Sequence, residues 1–521
     1  MTYAVWGWGD PAQQPRTHDL VAAMPWANEL LGFTVADPET PSPLQPLPPP
    51  RCAADVFAGL GSTDPVDRAR HGIGRSYRDI VRGIRGEIPH VPDVVVRPRT
   101  AAEVGEVLER CSERGWAVVP FGGGTSVVGG VEPMLPADSP HPAVVSLDLC
   151  RLRRVLEVDA VSRAALIEAG ALGPDLEAQL AATGHTLRFY PQSFERSTLG
   201  GWIATRAAGH YATGATHIDD LVESVTAVTP GGSWSSRRLP GSGAGPSPDR
   251  LLLGSEGALG VVTQAWVRLQ VRPAHRAGTS IAFTSWRDGA AAVRRIVQAG
   301  LRPAGCRLVD ATEARLTSTL DDGRSVLVLS FESPDAPCDA DLARALEICA
   351  DSGGSALPGR VGVETSGRWR ETFVRAPYLR ESLVLLGVLT ETFESAVTWD
   401  RFDAFVDAVR TTTLDAVRRV CGAGIVTCRT THAYADGAAP YFTVFAPARR
   451  GGELAQWAEI KAAAAEAIMA GGGTITHHHA IGRDHRPWYD AQRPELFAVA
   501  LRAAKKALDP AGILNPGVLI D

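Results

Sequence analysis

Three consecutive glycines, Gly122, Gly123 and Gly124, follow an apolar segment and precede Thr125 and Ser126. Glycine has no side chain to block a ligand and adopts positive φ, so successive backbone N–H groups can converge on an anion. Hydroxyl groups at the end of such a loop add donors for phosphate oxygens. The loop has neither the Lys-Ser/Thr of a P-loop nor the G-x-G-x-x-G of a Rossmann helix. We interpret it as a pyrophosphate-binding loop, although a plain turn has the same local sequence.

Two further glycine-containing segments lie downstream. Residues 191–209 place Gly200 and Gly201 among small and hydroxyl residues, and residues 254–262 contain glycines just before an apolar segment. Each segment alone is equally typical of a tight turn. Three such loops in the first half of the chain can together hold an extended dinucleotide, with its pyrophosphate on one loop and its remaining groups on the others.

Three adjacent histidines, His477, His478 and His479, follow a predicted strand, Thr474–Thr476. Neighbouring strand residues point to opposite faces, so all three cannot readily share one ion, and we predict no metal site. The imidazoles either bond to neighbouring loops or, when protonated, attract phosphate and supply protons near neutral pH.

Tyr441, Arg307 and Arg380 are the other candidates for chemistry. Tyr441 begins an apolar strand and, by itself, is typical of a core tyrosine with a satisfied hydroxyl. Arg307 lies on a predicted strand between Cys306 and Leu308, which indicates a buried partner or an anionic ligand. Arg380, taken alone, is typical of a surface or ion-paired residue near the start of a helix.

The elements around the first loop predict a small α/β unit. Thr100 and Glu103 are spaced as a helix-capping box. We expect a strand at Trp116–Val119 before the glycines and a second strand at Ala143–Leu149 after them. Between the cap and the first strand, apolar residues at i, i+3, i+4 and i+7 predict a helix with one buried face: Val104, Val107, Leu108 and Cys111.

The second half of the chain has a different rhythm. A strand–helix–strand, strand–helix order is typical of a split βαβ layer, an antiparallel sheet with helices on one face. The predicted elements are strands at Ser280–Phe283, Cys306–Val309 and Val326–Phe331 and helices at Trp286–Ala299, Asp341–Asp351 and Leu454–Met469. The proline-rich residues 36–50 are expected to form a stiff, solvated connector that separates an N-terminal arm, Trp6–Asp10, from the main body.

The composition is that of a globular protein with two or three domains. The 521 residues are 45% hydrophobic and 21% charged, and the net charge of −6 argues against a nucleic-acid partner or an anionic membrane surface. No apolar run is long enough to span a membrane, and no signal peptide is evident. The eight cysteines show no C-x-x-C spacing, which indicates reduced thiols and no zinc site. We therefore expect a cytoplasmic protein with at most peripheral membrane contact.

Four segments, Pro120–Ser126, Gln192–Thr198, Thr205–Ala208 and Glu256–Val262, together resemble the FAD-contacting segments of vanillyl-alcohol-oxidase-type flavoproteins. More specific segments resemble the alkyldihydroxyacetonephosphate synthase family, and the similarity runs from about residue 3 to the C-terminus. They are Trp6–Trp8, Ser197–Ile203, Thr427–Thr430 and His477–Gly482.

The resemblance implies an α+β fold, with an FAD-binding domain of two α/β subdomains and a cap domain that has an antiparallel sheet and flanking helices. It divides the chain into an N-terminal arm and helical segment (1–90), the FAD-binding domain (91–272), a substrate or cap domain (273–475) and a C-terminal segment that returns to the flavin (476–521). A homodimer is expected on the same basis.

The resemblance also implies which residues bind FAD. We expect the attachment to be noncovalent and His71, which precedes the FAD domain, not to be a covalent tether. The implied FAD-binding residues are Pro120, Phe121, Gly122, Gly123, Gly124, Thr125, Ser126, Gln192, Ser193, Phe194, Glu195, Arg196, Ser197, Thr198, Thr205, Arg206, Ala207, Ala208, Glu256, Gly257, Ala258, Leu259, Gly260, Val261 and Val262.

By the same resemblance, Tyr441 is the catalytic acid/base, Arg380 binds the substrate, and Arg307 and the three histidines are catalytic. A phenol with a pKa near ~10 is a poor base unless cationic neighbours favour the phenolate, and we expect nearby histidines and arginines to do so. The implied reaction exchanges the acyl group of an acyl-dihydroxyacetone phosphate for a fatty alcohol through a flavin N5 adduct, which forms an ether in ether-lipid biosynthesis.

Animal members of the family carry a long insertion where this chain has only residues 310–325, so a smaller or more polar substrate also fits.

Two other functions remain open from the sequence. The chain could instead be an FAD-linked oxidase or dehydrogenase of a 2-hydroxy acid or alcohol, since D-lactate and glycolate dehydrogenases share the FAD loops and an ending like Asn515–Gly517. A non-catalytic flavin-binding protein is the third interpretation.

Overall fold

The computed structural model describes residues 5–361 and 375–520, with the backbone alone for residues 358–361. The strands in chain order are β1 Gly61–Ser62, β2 Val94–Val96, β3 Ala117–Phe121, β4 Val144–Asp148, β5 Val155–Asp159, β6 Ala164–Glu168, β7 His185–Thr186, β8 Val222–Thr229, β9 Gly232–Ser235, β10 Val261–Arg268, β11 Gln270–Val271, β12 His275–Phe283, β13 Gly305–Val309, β14 Ser325–Ser333, β15 Ser355–Val361, β16 Val388–Glu394, β17 Val397–Thr398, β18 Ile425–Ala433 and β19 Gly437–Pro447.

The helices include a described segment at 375–385, which is numbered α11. In chain order they are α1 Thr17–Leu31, α2 Pro65–Arg70, α3 Tyr77–Ile84, α4 Ala101–Arg114, α5 Gly173–Ala181, α6 Leu199–Thr205, α7 Ile218–Leu221, α8 Trp286–Gln298, α9 Ala311–Leu316, α10 Asp339–Asp351, α11 375–385, α12 Phe402–Cys421, α13 Glu453–Ala470, α14 Arg486–Gln492 and α15 Glu495–Leu508.

The part of the chain up to β11 contains two larger sheets and one antiparallel two-stranded sheet, β7 with β11. In one, β2, β4 and β3 are parallel and the short β1 pairs antiparallel with β2 at the edge. Their valines are buried on both faces, as expected of parallel strands. The second sheet is antiparallel in the order β5-β6-β10-β8-β9. The predicted α/β unit is present, with β3 shifted so that Pro120 and Phe121 end the strand.

Helix α4 begins as predicted but without a complete capping box. The hydroxyl of Thr100 accepts the Glu103 backbone N–H at 3.1 Å. The Glu103 carboxylate takes the backbone N–H of Arg99 instead of that of Thr100, because Arg99 also offers its guanidinium. The predicted buried face of the helix is confirmed.

The second half forms one antiparallel sheet in the order β15-β12-β14-β13-β18-β19-β16, with β17 beside β19. Helices α8, α10 and α12 pack against its strands. The predicted α+β fold class is confirmed. The predicted strands and helices between Ser280 and Met469 are present and differ only by a few terminal residues. Side chains alternate along the strands, so Cys306 and Leu308 enter the core while Arg307 lies on the opposite face.

Two expectations about loops are wrong. Residues Thr474–Thr476 form no strand, because their polar groups bond to Glu394 and Gln492 rather than to a neighbouring strand. The N-terminal arm is not separate from the main body, because Trp8 is buried and its backbone N–H donates to the carboxylate of Glu381.

The C-terminal segment packs against the first half of the chain. Leu514 bridges to Val118 of β3, and the amide of Asn515 donates to the carbonyl oxygens of Gly130 and Glu256. Across residues 5–361 and 375–520, no helix is both long and apolar enough to cross a membrane.

Candidate active site

A cavity of about 370 Å³ lies between the glycine-containing loops and the antiparallel sheet of the second half of the chain, which we call the cap sheet. The loops contribute residues around Gly123, Ser193 and Thr198. The sheet contributes the face opposite the core, including Arg307 and Tyr441. The tertiary structure thus brings together the two groups of residues that the sequence indicated separately.

The glycine loop presents unpaired donors to this cavity. Within the described residues, the backbone N–H groups of Gly122, Gly123, Gly124 and Thr125 make no hydrogen bond to protein. All four residues line the cavity, and Gly124 has a φ of +65°. Buried or half-buried N–H groups need a partner, so this loop can receive an anion.

The second loop is packed directly against the first. A Cβ atom on Gly122 would meet the hydroxyl of Thr198, and one on Gly123 would meet the carbonyl oxygen of Arg196. The same Thr198 hydroxyl accepts the Gly201 N–H at 3.2 Å and caps α6. Trp202 is buried, and its indole N–H donates to Ser197 Oγ at 2.6 Å. We interpret Trp202 as packing support for this loop.

The proposed FAD-binding residues fall into two sets by position. Those on the cavity wall are Gly122, Gly123, Gly124, Thr125, Ser126, Gln192, Ser193, Ser197, Thr198, Thr205, Ala207 and Ala208. Those outside the wall are Pro120, Phe121, Phe194, Glu195, Arg196, Arg206, Glu256, Gly257, Ala258, Leu259, Gly260, Val261 and Val262.

The residues outside the wall have structural partners. Arg206 pairs with Asp219 at 2.8 Å, and Val261 and Val262 are buried in β10. The carboxylate of Glu256 accepts the backbone N–H groups of Ile481 and Gly482, both at 2.8 Å. Burial raises the pKa of Glu256 to about 7, although these two hydrogen bonds oppose the shift.

The His71 ring also has partners within the protein. Its Nδ1 lies 2.7 Å from the carbonyl oxygen of Asp67, and its Nε2 lies 3.3 Å from Asp148. The ring packs on Phe121 with centroids 4.3 Å apart. It is buried and outside the cavity wall, which is consistent with the expectation that it does not tether FAD.

Tyr441 lies on the cavity side of β19 beside Arg429 of β18. The guanidinium carbon of Arg429 is 4.3 Å from the centre of the tyrosine ring. Arg429 is itself held by Glu313 at 2.7 Å, and Glu313 also accepts from Thr427. Its position is therefore fixed by an ion pair from α9.

The phenol of Tyr441 is not shifted toward phenolate. Burial raises its pKa, and the nearby Arg429 charge and a hydrogen bond with Thr392 only partly oppose this. The expectation that cationic neighbours lower the pKa of Tyr441 is thus wrong for the free site, because desolvation of the phenolate is the larger effect.

Both predicted arginines reach the cavity. Arg307 is buried, and its guanidinium donates to the carbonyl oxygen of His210 at 2.6 Å. Burial, followed by the charge of Arg429, lowers the pKa of Arg307 to about 9, so it stays cationic near neutral pH. Arg380 donates to the carbonyl oxygen of Arg75 at 2.6 Å, and its buried Nε has no hydrogen-bond partner among the described residues.

The three histidines are held by one buried carboxylate. Glu394 accepts the backbone N–H groups of His477, His478 and His479 at 2.5, 3.1 and 2.9 Å and the hydroxyl of Thr476 at 2.6 Å. Burial would raise the pKa of Glu394, but the pKa lies well below its usual value, and the hydrogen bond from the Thr476 hydroxyl favours the ionised form. An ionised Glu394 therefore anchors the loop.

The side chains of the three histidines diverge. His478 and His479 line the cavity, whereas the Nε2 atom of His477 lies 2.8 Å from the hydroxyl of Tyr434, away from it. Two groups of three potential ligands, His432-His477-His478 and Glu394-His478-His479, lie within ligand distance, but neither includes all three loop histidines. These side chains already share hydrogen bonds, so we assign no metal to them.

The loop histidines are also less basic than expected. Burial lowers the pKa of His478 to about 3 and lowers those of His477 and His479, despite the attraction of Glu394. The expectation of protonated imidazoles near neutral pH is thus wrong for the free site, because the apolar surroundings penalise the cation.

Sequence reasoning missed Arg429, Glu394 and Tyr434 as site residues. Arg429 had a local signal, since an arginine on a strand between buried Cys428 and Thr430 indicates a buried partner or an anionic ligand. Glu394 and Tyr434 had none, because each meets the histidine loop only through the tertiary fold.

Two protein families match the chain. The family described as "FAD binding domain" matches residues 92–236. The family described as "FAD linked oxidases, C-terminal domain" matches residues 272–519. The first range contains the loops at Gly122–Ser126 and 191–209, and the second contains the antiparallel sheet of the second half of the chain.

Individual proteins match over most of their length. An alkyldihydroxyacetonephosphate synthase of Trypanosoma brucei brucei is 30% identical over 483 residues, which cover 88% of this chain and 78% of the relative. The glycolate oxidase subunit GlcD of Bacillus subtilis is 26% identical, over 82% of this chain and 88% of the relative. A solved structure of alkyldihydroxyacetonephosphate synthase superposes with a TM-score of 0.81 at 24% identity and covers 99% of both chains.

Proposed function

The chain belongs to the alkyldihydroxyacetonephosphate synthase family, and from this premise we propose that it exchanges the acyl group of an acyl-dihydroxyacetone phosphate for a fatty alcohol. It is an FAD-dependent enzyme. The observation that carries the proposed reaction is the meeting of Tyr441, three arginines and two of the loop histidines around one cavity.

The residues present fit FAD. The unpaired N–H groups of Gly122–Thr125, followed by the hydroxyl of Ser126, form an anion-binding loop suited to its pyrophosphate. Loop 192–198 and α6 form the adjoining wall. When bound there, FAD would supply an electrophilic ring nitrogen for the reaction.

The reaction needs a proton to be removed next to the substrate ketone and later returned. Tyr441 is placed for acid/base work on the cavity wall, with neutral His478 and His479 rings 6.1 and 5.6 Å from its own ring. In the free site the Tyr441 phenol keeps its proton and the His478 imidazole is neutral, so the phenol has a proton to donate and the imidazole has a free lone pair.

Cationic side chains suit an anionic substrate. Arg307, Arg380 and Arg429 all reach the cavity, and Arg429 is paired there with the carboxylate of Glu313. A substrate phosphate near Arg380 would satisfy its buried Nε. Charge placed next to a developing enolate lowers its energy in a site shielded from water.

One part of the cavity wall is apolar, which suits a substrate with a long hydrocarbon chain. Leu379 is 53% exposed, so this part of the wall extends to the protein surface. The apolar residues there are Leu316, Ala376, Pro377, Leu379, Leu383 and Phe445. This surface favours the fatty alcohol over a small polar acceptor, even though residues 310–325 replace a longer insertion.

The test is a direct comparison of two reactions. The purified protein, with its FAD content measured from the visible spectrum, is incubated with palmitoyl-dihydroxyacetone phosphate and hexadecanol, and the ether product is measured by mass spectrometry. In parallel, D-lactate and glycolate are added without oxygen. Ether formation without flavin bleaching supports the synthase; bleaching by a 2-hydroxy acid without ether formation contradicts it and favours the oxidase alternative.

A further inference from the structure

A chain of hydrogen bonds leads from the cavity wall to the half-buried His217. His478 Nδ1 lies 3.1 Å from His477 Nδ1, and His477 Nε2 lies 2.8 Å from the hydroxyl of Tyr434. That hydroxyl lies 3.1 Å from Thr216 Oγ1, which is 3.4 Å from His217 Nδ1. Of these five residues, His478 lines the cavity, so the chain runs away from the site.

At the His217 end of this chain of hydrogen bonds, the donors and acceptors can be assigned. His217 Nε2 lies 3.0 Å from the carbonyl oxygen of His477, and a carbonyl can only accept, so Nε2 carries the proton. Nδ1 of His217 then accepts from the Thr216 hydroxyl. That hydroxyl has one proton, so its oxygen accepts from Tyr434.

The same argument assigns the donors and acceptors at the cavity end of the chain of hydrogen bonds. The Tyr434 oxygen accepts from Nε2–H of His477, and His477 Nδ1 accepts from Nδ1–H of His478. Glu394 agrees with this assignment, because its carboxylate lies 3.7 Å from His478 Nδ1 and favours a proton there. His478 Nε2 therefore keeps its lone pair, and no described group donates to it.

We propose that Tyr434 is a positioning residue that holds His478 in its Nδ1–H tautomer, and that the chain passes a proton taken up by His478 Nε2 in the cavity on to His217. The assignment of the tautomer does not depend on the proposed function. Only the origin of the proton, the carbon next to the substrate ketone, rests on it.

Each group that gives up a proton receives one from its neighbour, so the proton transfer is balanced. As the substrate C–H bond breaks and His478 Nε2–H forms, the Nδ1 proton of His478 passes to Nδ1 of His477. The Nε2 proton of His477 passes to the Tyr434 oxygen, the Tyr434 proton to Thr216, and the Thr216 proton to Nδ1 of His217. One bond to hydrogen forms for each that breaks, His217 becomes a cation, and passage in the reverse direction returns a proton to the product.

A carboxylate lies next to the His217 end of the chain of hydrogen bonds. Asp220 accepts the backbone N–H groups of Thr216 and His217 at 3.0 and 3.1 Å, which places a carboxylate beside His217. At the cavity end Glu394 attracts a charged His478, but burial and the charge of Arg429 oppose it. The remaining groups around the chain, His432, His479 and Tyr441, are uncharged in the free site.

The first test reads the tautomer directly. Protein loaded with FAD is labelled with 15N in its histidine rings, and the His478 signals are assigned by their loss in His478→Gln. Nδ1 of His478 should show the shift of a protonated nitrogen and Nε2 that of an unprotonated one. In Tyr434→Phe, which keeps the ring but loses the hydroxyl, the two nitrogens should move toward equal averaged shifts.

The second test breaks the chain at two points. Tyr434→Phe and Thr216→Val should lower kcat by about tenfold or more, with KM and FAD content unchanged, because proton transfer is slowed while binding is kept. Thr216→Ser restores the hydroxyl and should stay within about twofold of the parent. Tyr489→Phe, on α14 outside the chain, is the matched control.

The outcomes separate this inference from the proposed function. Absence of ether formation with the expected tautomer contradicts the function and leaves the positioning role of Tyr434 supported. An unchanged His478 tautomer in Tyr434→Phe, or equal rates for Thr216→Val and Thr216→Ser, overturns the inference. If Tyr434→Phe does not fold, the Thr216 pair decides by the same criteria.

Discussion

The backbone carbonyl oxygen of Arg196 occupies the space that a Cβ atom on Gly123 would need. Gly122 is confined in the same way by the side chain of Thr198. The glycines of the first loop are thus required for contact between two protein loops as well as for the approach of a ligand. The two loops form one wall of the cavity only because neither glycine has a side chain.

Gly123→Ala should lower both FAD occupancy and stability. The added methyl group forces the two loops apart, and overpacking of this kind costs about 1–3 kcal/mol. FAD content from the visible spectrum and the free energy of unfolding from urea denaturation measure the two effects. Gly241→Ala, at an exposed position with open space around its Cβ, is the control and should match the parent. Full FAD occupancy in Gly123→Ala would refute the packing argument.

Tyr441→Phe should keep FAD but lose turnover. The ring still packs beside Arg429, while the hydroxyl needed for acid/base work is gone, so kcat should fall by about 10²–10⁴-fold. Ether formation under saturating substrate measures the effect, with Tyr489→Phe as the control. A Tyr441→Phe enzyme as fast as the parent would remove this hydroxyl from the mechanism.

Glu394→Gln should disorder the histidine loop while the rest of the fold persists. The amide has one acceptor oxygen in place of two and turns its NH2 group toward backbone N–H donors, which should cost about 1–3 kcal/mol. We expect a large loss of kcat and faster hydrogen exchange at residues 477–479. Glu347→Gln on the exposed side of α10 is the control, and unchanged exchange at the loop would contradict the anchoring role.

Glu256 should make stability fall as pH rises from about 4.5 to 7. Its pKa in the folded protein is raised to about 7, so between these values the folded state binds more protons than the unfolded state. The contribution is fully present below the unfolded pKa and is lost as pH rises through the folded one, in total about 3 kcal/mol.

The measurement is the difference between Glu256→Gln and the parent. Gln cannot ionise, so the variant should gain stability relative to the parent as pH is raised across this window, by urea denaturation at matched ionic strength. Glu466→Gln, at an exposed position on α13, should show no such trend. A constant difference between Glu256→Gln and the parent at all pH values would show that Glu256 ionises normally.

Many of the helices and strands could be predicted from local sequence patterns. The helix after Thr100, the strands around Arg307 and the order of elements in the cap follow from apolar periodicity, which depends on residues close in sequence. The expected strand at Thr474–Thr476 failed because its polar groups bond to residues distant in the chain, which no local pattern records.

The sequence by itself determined that this protein has glycine loops suited to a dinucleotide and a set of histidine, tyrosine and arginine candidates, because backbone freedom and side-chain type are local properties. Only the tertiary structure decided which of them share a cavity, that Glu394 and Tyr434 hold the histidine loop, and that burial keeps the Tyr441 phenol and the imidazoles neutral. Protonation and orientation depend on surroundings built from distant residues, and those surroundings exist only once the chain has folded.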